Sequence, residues 1–198
     1  PIDETLRALD DLIRAGKVRY IGVSGFPAWQ ILRALWTSKE LKLNRFVSSM
    51  FPYSLVARVF EKEMVPMMQS YGLAGLAYSP LWGGFLSGKY TRDGARPADS
   101  RFAFERWDGV WNRGLADKAW ALHDLLAQMA VQKGATMSQL AIAWVAQQPG
   151  ITSAIIGPRT VDQLKDNLGA ADVAFSEEEL AQIDTAVPPG VVLLDYRQ

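Results

Sequence analysis

Hydrophobic residues change their spacing along the chain at regular intervals, which predicts an alternation of helices and strands. Apolar residues recur at helical spacing in some segments, and other segments are short apolar runs typical of buried strands. The pattern predicts helices over residues 3–15, 27–38, 60–71, 115–133, 138–147, 161–170 and 177–186, and strands over residues 18–24, 46–49, 73–78 and 153–156. Alternation with short links indicates right-handed βαβ units and a parallel sheet. The fold class is therefore α/β, as a (β/α) barrel or a doubly wound sheet, and four strands are half of such a barrel.

The end of the last predicted strand has the pattern of a phosphate-binding turn. The apolar run at residues 153–156 stops at Gly157, and Pro158 prevents its continuation as a strand. Thr160 stands where the N-cap of the following helix is expected. Backbone N–H groups at a helix start, together with Arg159 beside them, form a suitable site for a phosphate group. The same pattern is also compatible with a simple capped helix carrying a solvated arginine.

Composition limits the classes of function. The chain has 198 residues, enough for one sizeable core, and we expect a single domain over residues 1–198. Its 21 basic and 21 acidic residues balance, which argues against nucleic-acid binding and against binding to an acidic membrane. It contains no cysteine, so disulfides and thiolate chemistry are excluded. No apolar run is long enough to span a bilayer, and we expect a cytoplasmic protein without a metal site.

Three segments resemble the aldo-keto reductase superfamily and occur in its order and spacing. They are ETLRALDDLIRAGKVRYIGVS at residues 4–24, YSPLWGGFLSGKY at residues 78–90, and IGPRT at residues 156–160 with Gln163 and Asn167 after it. The resemblance covers the chain from Glu4 to about Ala186. It implies the C-terminal half, strands five to eight, of a (β/α)8 TIM-type barrel that binds NADP(H). Functional residues of such barrels lie at the carboxyl ends of the strands.

The resemblance also implies cofactor-binding residues. Ser24 and Tyr78 would bind the nicotinamide, although Gly25 and Met50 replace the asparagine and glutamine that the family places nearby. The candidates for the pyrophosphate segment are Ser79, Pro80, Leu81, Gly83 and Lys89, with Arg101 as a further one. The candidates for the adenosine end are Gly157, Arg159, Thr160, Gln163, Asp166 and Asn167. Arg159 favours NADP(H) over NAD(H), because a guanidinium matches a phosphate. Without the resemblance, Ser24 would be a strand-end cap and Tyr78 a core residue.

Aromatic residues are concentrated in a long predicted loop, residues 81–114, expected to cover the cofactor and shape the substrate pocket. Phe102, Phe104, Trp107 and Trp111 either form an apolar wall for a small carbonyl substrate or only hold the loop against the barrel. The other tryptophans considered lie in predicted helices, where we expect them to pack in the core: Trp29, Trp36, Trp120 and Trp144.

No catalytic residue is predicted in this chain. In the resembling family, hydride passes between NADPH and an aldehyde or ketone while a tyrosine gives the proton, assisted by an aspartate, a lysine and a histidine. All four come from earlier strands than those present here. His123 is expected to be a helix-surface or packing residue, and no catalytic role is assigned to the tyrosines at positions 20, 53, 71 and 90.

Three hypotheses for the protein follow. The chain is the cofactor-binding half of an NADP(H)-dependent reductase, a non-catalytic nicotinamide-binding regulatory module like the subunits of potassium channels, or a self-assembling half-barrel. An open half-sheet exposes strand edges, so the missing N-terminal half or an oligomeric partner is expected to cover it.

Overall fold

Helices and strands alternate along the chain as the hydrophobic pattern predicts. The structure, a computed structural model, describes residues 1–94, 96–108 and 117–194. The helices are α1 (Ile2–Arg14), α2 (Ala28–Glu40), α3 (Met64–Tyr71), α4 (Asp117–Lys133), α5 (Met137–Gln147), α6 (Val161–Leu168) and α7 (Glu177–Ala186). The strands are β1 (Ile21–Ser24), β2 (Phe46–Pro52), β3 (Ala74–Tyr78) and β4 (Ser153–Ile155). Within those residues, no helix has the length and apolarity needed to cross a membrane.

All four strands are parallel and adjacent in chain order, β1–β2–β3–β4. In the register of the sheet, Ser24 lies opposite Met50, and Met50 lies opposite Leu76. Tyr78 pairs with Ile155 at the other side. Since the strands run in the same direction, their carboxyl ends meet at one edge of the sheet, which is where functional residues of a barrel gather.

The two faces of the sheet differ in burial. One face is packed by helices, with α3 against β3 and α5 against β4, and its side chains are buried, among them Ile21, Val23, Phe51 and Ala77. The opposite face is partly open: Met50, Leu76 and Tyr78 are half-buried, whereas Ser24 and Ile155 are exposed. A parallel sheet normally has both faces covered. Within the described residues, this face of the sheet therefore lacks a full cover.

Side chains cap the starts of three of the described helices, α5, α6 and α7. The Ser176 hydroxyl accepts a hydrogen bond from the backbone N–H of Glu179, and the Glu179 carboxylate accepts one from the backbone N–H of Ser176, so the two residues form a capping box at the start of α7. Thr136 and Gln139 form a second capping box at α5 that was not predicted. Pro66 is the third residue of α3, where a proline is tolerated because no intrahelical donor is needed, and a separate 3₁₀ turn, Val59–Glu61, precedes the helix.

A buried arginine joins the segment after β2 to the C-terminal helix. Arg58 is 3% exposed, and its Nε donates to Oε1 of Glu61 at 2.7 Å. Its Nη1 donates to Oδ1 of Asp184 at 2.6 Å and to the Val187 carbonyl at 2.5 Å. The guanidinium also lies 4.9 Å from the centroid of a Trp144 ring. Burial acts to lower the pKa of Arg58, but the ion pairs outweigh it and raise that pKa, so the group stays charged.

The prediction that all four helical tryptophans pack in the core is wrong for two of them. Trp120 and Trp144 are buried, whereas Trp29 is 58% exposed and Trp36 is 62% exposed. Helix α2 buries the face that carries Ala28, Ile31, Ala34 and Leu35. Positions 29 and 36 lie two turns apart on the opposite face, so the helical period directs both rings outward.

His123 is a packing residue. It is 7% exposed, and its ring centroid lies 5.4 Å from that of Phe85 and 5.2 Å from that of Trp120. Burial lowers the pKa of His123 in spite of the nearby Asp124 carboxylate, which keeps the imidazole neutral. A neutral ring packed between aromatic residues agrees with the non-catalytic interpretation.

Candidate functional site

A cavity of about 630 Å³ opens at the carboxyl ends of β3 and β4. Its walls come from Tyr78 and the turn that follows β3, from the turn between β4 and α6, and from side chains of the described part of the predicted 81–114 loop, here called the covering loop. A smaller cavity of about 80 Å³ lies beside it, behind Ser79 and Trp82, which line both. The larger cavity is therefore at the sheet edge where the strand directions place a functional site.

Most of the cofactor-binding candidates lie together around this cavity. The lining candidates are Tyr78, Ser79, Pro80, Leu81, Gly83, Lys89, Gly157, Arg159, Gln163, Asp166 and Asn167. The segments around Ser79 and Arg159, which are 80 residues apart in sequence, thus line one cavity. Their role in binding a cofactor stays a prediction.

Two candidates do not line the cavity. Ser24 is exposed at the end of β1, two strands away from β3. The Thr160 hydroxyl accepts a hydrogen bond from the Gln163 backbone at 3.2 Å, so it serves as the N-cap of α6. Thr160 thereby positions the first turn of α6 beside the cavity, as the sequence predicts for a cap.

The turn after β3 has an unusual backbone. Ser79 and Trp82 have φ angles of 61° and 41°, and Gly83 and Gly84 have φ angles of 66° and 94°. A positive φ costs non-glycine residues free energy and is concentrated at functional sites. A Cβ on Gly84 would lie 2.9 Å from Cε of Lys89. Glycine at this position thus lets the lysine side chain lie across the turn and into the wall of the cavity.

Positive charge dominates the electrostatics of the site. Partial burial lowers the pKa of Lys89, and the nearby cations Arg159 and Arg101 lower it further, while Asp99 acts in the opposite direction. Nη2 of Arg159 lies 3.3 Å from Oδ2 of Asp99, an exposed ion pair. Mutual repulsion among three cations around one cavity is relieved by an anionic ligand, so the donor set is suited to phosphate groups.

The polar residues of α6 have distinct tasks. Oε1 of Gln163 accepts the backbone N–H of Arg159 at 2.7 Å, which holds the turn that presents the arginine. The Asp166 carboxylate accepts hydrogen bonds from Oγ1 of Thr136 at 3.0 Å and Nε2 of Gln139 at 3.1 Å. Asp166 therefore links α6 to the N-terminus of α5 as well as lining the cavity. Asn167 is buried in the cavity wall, with 7% exposed.

The aromatic residues of the covering loop divide into two groups. Phe102 is fully buried, and its ring centroid lies 5.6 Å from that of Trp82 and 5.3 Å from that of Tyr90. Trp107 packs edge-on against Phe102 at 5.8 Å. These two residues hold the loop in place, whereas Phe104 is exposed and lines the cavity. The fourth aromatic residue of the prediction, Trp111, lies outside the described residues.

Some lining residues were not among the candidates. They are Trp82, Gly84, Ser87, Ser138, Ile155, Ile156 and Pro158, while Arg101 and Phe104, which were named from the sequence, also line the cavity. Ser138 is in the first turn of α5, and the capping box of Thr136 and Gln139 is the sequence signal that could have placed it there. Nothing in the sequence indicates that this helix start lies against α6, because that contact is tertiary.

The tyrosines to which no catalytic role was assigned lie away from the larger cavity. The Tyr53 hydroxyl donates to Oε1 of Glu61 at 2.5 Å, and burial and this carboxylate raise the pKa of Tyr53. Tyr20 is 75% exposed at the opposite end of β1 from Ser24, and Tyr71 ends α3. Neither these residues nor Tyr90 lines the cavity.

Comparison with known proteins agrees with this arrangement. The model of the Aldo/keto reductase family matches residues 1–188. The chain belongs to the aldo/keto reductase family. This family is built on the α/β TIM barrel, which accounts for the parallel sheet, and its members generally use a nicotinamide cofactor. The chain therefore belongs to a family of oxidoreductases.

Curated relatives of this aldo/keto reductase chain differ in their described roles. It is 37% identical over 174 residues to a probable voltage-gated potassium channel subunit beta of Arabidopsis thaliana, covering 87% of this chain and 53% of the relative. It is 38% identical over 185 residues to Protein tas of Escherichia coli, and the match covers 91% of this chain and 51% of that relative. It is 32% identical over 197 residues to the L-glyceraldehyde 3-phosphate reductase of Escherichia coli, and the match covers 96% of this chain and 55% of that relative. The chain spans about half the length of these relatives.

Proposed function

We propose that this chain is the cofactor-binding, C-terminal half of an NADP(H)-dependent aldo-keto reductase that reduces aldehydes or ketones to alcohols. The observation that carries the proposal is the cavity at the ends of β3 and β4, with three cations around it. On this proposal, β1 to β4 are strands five to eight of the barrel. The half-buried side chains of Met50, Leu76 and Tyr78 support this assignment, since they form a sheet face without a cover. The comparisons do not favour the regulatory or self-assembling alternatives.

The residues present fit a phosphorylated dinucleotide. Lys89, Arg101 and Arg159 supply positive charges for its phosphates, and Gly83, which has no side chain, lets a phosphate approach the backbone of the positive-φ turn. Buried Asn167 offers amide groups at the adenosine end. When bound, the cofactor would supply the hydride for carbonyl reduction. The Tyr78 ring, at the end of β3, would present a flat surface to the nicotinamide.

The proposed catalytic tyrosine, aspartate, lysine and histidine belong to strands that precede β1 in the barrel, in elements outside this chain. On the same proposal, a small carbonyl substrate binds between the two halves. The other half of the barrel covers the open face of the sheet, which would bury Ser24 and Ile155.

Cofactor binding tests the proposal directly. We expect the chain to bind NADPH more tightly than NADH, and Arg159→Met to weaken NADPH binding about tenfold while NADH binding changes less than about twofold. A charge-assisted hydrogen bond to a phosphate accounts for this size, reduced because the Arg159 side chain is 55% exposed. Quenching of tryptophan fluorescence during cofactor titration measures both affinities.

Lys165→Met is the matched control, because it removes an exposed cation from α6, the helix that directly follows Arg159, at a position that does not line the cavity. Equal affinity for NADPH and NADH, unchanged in Arg159→Met, would reject the assignment of a 2′-phosphate site. Absence of quenching at millimolar NADPH would reject cofactor binding by this chain.

A second prediction concerns the nicotinamide end. Gly25 has a φ of 72°, and a Cβ there would meet nothing within 4 Å. Asparagine tolerates this left-handed conformation, so Gly25→Asn should be accommodated and would add the amide that the family pattern places after Ser24. We expect NADPH binding to become about threefold tighter, the size of one net hydrogen bond.

Gly16→Asn controls for the backbone change, because Gly16 has a φ of 71°, equally open surroundings, and a position after α1 away from the cavity. Isothermal titration calorimetry of both variants with NADPH measures whether only Gly25→Asn binds the cofactor more tightly. Equal affinities for the two variants would mean that the end of β1 does not bind the nicotinamide.

A further inference from the structure

Helix α6 carries three residues of the cavity wall, yet apolar packing holds it only weakly. Gln163, Asp166 and Asn167 line the cavity. Among the eight residues of α6, all of which the structure describes, only Asn167 is buried. The apolar residues Val161 and Leu168 are exposed. Because α6 buries so little apolar surface, its polar contacts with neighbouring elements decide where its lining residues stand.

The polar contacts of α6 with α5 converge on the side chain of Gln139. Oε1 of Gln139 accepts the backbone N–H of Thr136 at 3.1 Å, which completes the capping box of α5. Its Nε2 donates to the backbone carbonyl oxygen of Asp166 at 2.9 Å and to Oδ1 of Asp166 at 3.1 Å. The Thr136 hydroxyl donates to the same carboxylate at 3.0 Å. One amide thus joins the start of α5 to a carboxylate in the cavity wall.

The end of α6 leaves room for this amide. Gly169 follows the helix with a φ of −61°, which residues other than glycine also adopt. A Cβ at this position would lie 2.5 Å from Nε2 of Gln139. The close approach of the amide, rather than the backbone conformation, therefore favours glycine here. Gln139 is half-buried and does not line the cavity, so it acts on a ligand only through α6.

We propose that Gln139 is the positioning residue for the adenosine end of the dinucleotide site. It holds the Asp166 carboxylate in one orientation and fixes the face of α6 that carries Gln163 and Asn167. This inference rests on the proposed cofactor function. A glutamate would serve equally as the acceptor of a capping box, but it has no N–H to donate to Asp166. The bond to α6 thus gives the amide at position 139 a role that the cap alone does not require.

Gln139→Glu separates this bond from the cap. The variant keeps the acceptor for the Thr136 N–H, loses the donor to Asp166 and places a second carboxylate beside the first. We expect binding of adenosine 2′,5′-bisphosphate, the phosphorylated adenosine half of the cofactor, to weaken about tenfold. Isothermal titration calorimetry gives the affinity, and far-ultraviolet circular dichroism checks the fold.

Asp166→Asn supplies a rescue that a general loss of stability would not produce. Asparagine keeps an oxygen for the Thr136 hydroxyl and offers an NH₂ group to the carboxylate introduced at position 139. Within the Asp166→Asn chain, we therefore expect Gln139→Glu to weaken bisphosphate binding by less than about threefold, compared with about tenfold in the unmodified chain. The difference measures the direct coupling of the two side chains.

Gly169→Ala displaces the amide without altering any charge, and we expect it to weaken bisphosphate binding about threefold. Gln147→Glu is the matched control. Nε2 of Gln147, at the other end of α5, donates to the Val173 carbonyl at 2.6 Å, and Gln147 does not line the cavity. We expect bisphosphate binding by this variant to stay within about twofold of the unmodified chain.

Unchanged bisphosphate affinity in both Gln139→Glu and Gly169→Ala would overturn the positioning role and leave the proposed function intact. An equal loss from Gln139→Glu with and without Asp166→Asn would also overturn it, since the two side chains would then act independently. Binding of NADPH but not of the bisphosphate by the unmodified chain would overturn it as well. Failure of the unmodified chain to bind NADPH would reject the proposed function itself.

Discussion

Arg58→Met is expected to lower the free energy of unfolding of the chain by about 3–5 kcal/mol, the usual effect of removing one partner of a buried ion pair. The substitution keeps an unbranched apolar stem but removes the guanidinium, and with it the cation–π contact with the Trp144 ring. It leaves the carboxylate of Glu61, whose side chain is 17% exposed, without its cation. It also leaves the Val187 carbonyl without the donor now 2.5 Å away.

The effect should extend to the C-terminal helix, because Arg58 bonds to Asp184 in α7 as well as to Glu61. Arg58→Lys keeps the charge but cannot supply the forked donors, so we expect it to lose most of the same stability. Urea denaturation followed by tryptophan fluorescence measures the change.

Arg33→Met serves as the control for loss of a cation, because Arg33 is exposed on α2. We expect its stability to stay within about 0.5 kcal/mol of the unmodified chain. A similar small change in Arg58→Met would show that the buried network contributes little to folding.

Gly75→Ala is expected to lower the free energy of unfolding by about 3 kcal/mol, at the upper end of the cost of overpacking. Gly75 lies in β3, and a Cβ there would be 2.4 Å from the carbonyl oxygen of Gly150. That oxygen belongs to the backbone, and the Thr152 N–H donates to the Gly75 carbonyl at 2.8 Å, so the two segments cannot separate without breaking this bond. The strand or the loop must therefore shift.

Gly157→Ala tests whether the close approach causes this loss. A Cβ on Gly157 meets nothing within 4 Å, and its φ is not in the left-handed region, so we expect its stability to change by less than about 0.5 kcal/mol. Thermal unfolding of both variants by circular dichroism provides the comparison. Equal midpoints for Gly75→Ala and the unmodified chain would contradict the account of the packing between β3 and the loop before β4.

The order and type of the helices and strands could be predicted from the sequence because each depends on local spacing. The helical period places Leu6 in the core, and the caps at Thr160 and Ser176 start their helices through bonds within one turn. The site was predictable to a similar extent, although from resemblance as well as local pattern. The segments around Tyr78 and Arg159 were both candidates, and the structure brings them to one cavity.

The failures concern residues whose environment is set by distant parts of the chain. Trp29 and Trp36 were expected in the core, but only the packing of α2 decides which of its faces is covered. Phe102 and Phe104 are two positions apart, yet one is buried and the other lines the cavity. The sequence left both roles open for these residues, because the contact of Phe102 with Trp82 joins separate segments and no local pattern contains it.

By itself, the sequence determined the α/β alternation, the helix caps and the chemical types of the candidate binding residues, since these follow from neighbours within a few positions. The tertiary structure alone decided that Lys89, Arg101 and Arg159 surround one cavity, that Asp166 is tied to the start of α5, and that one face of the sheet is open. Charge repulsion, hydrogen bonding and burial act through space, so their outcome depends on which segments the fold brings together.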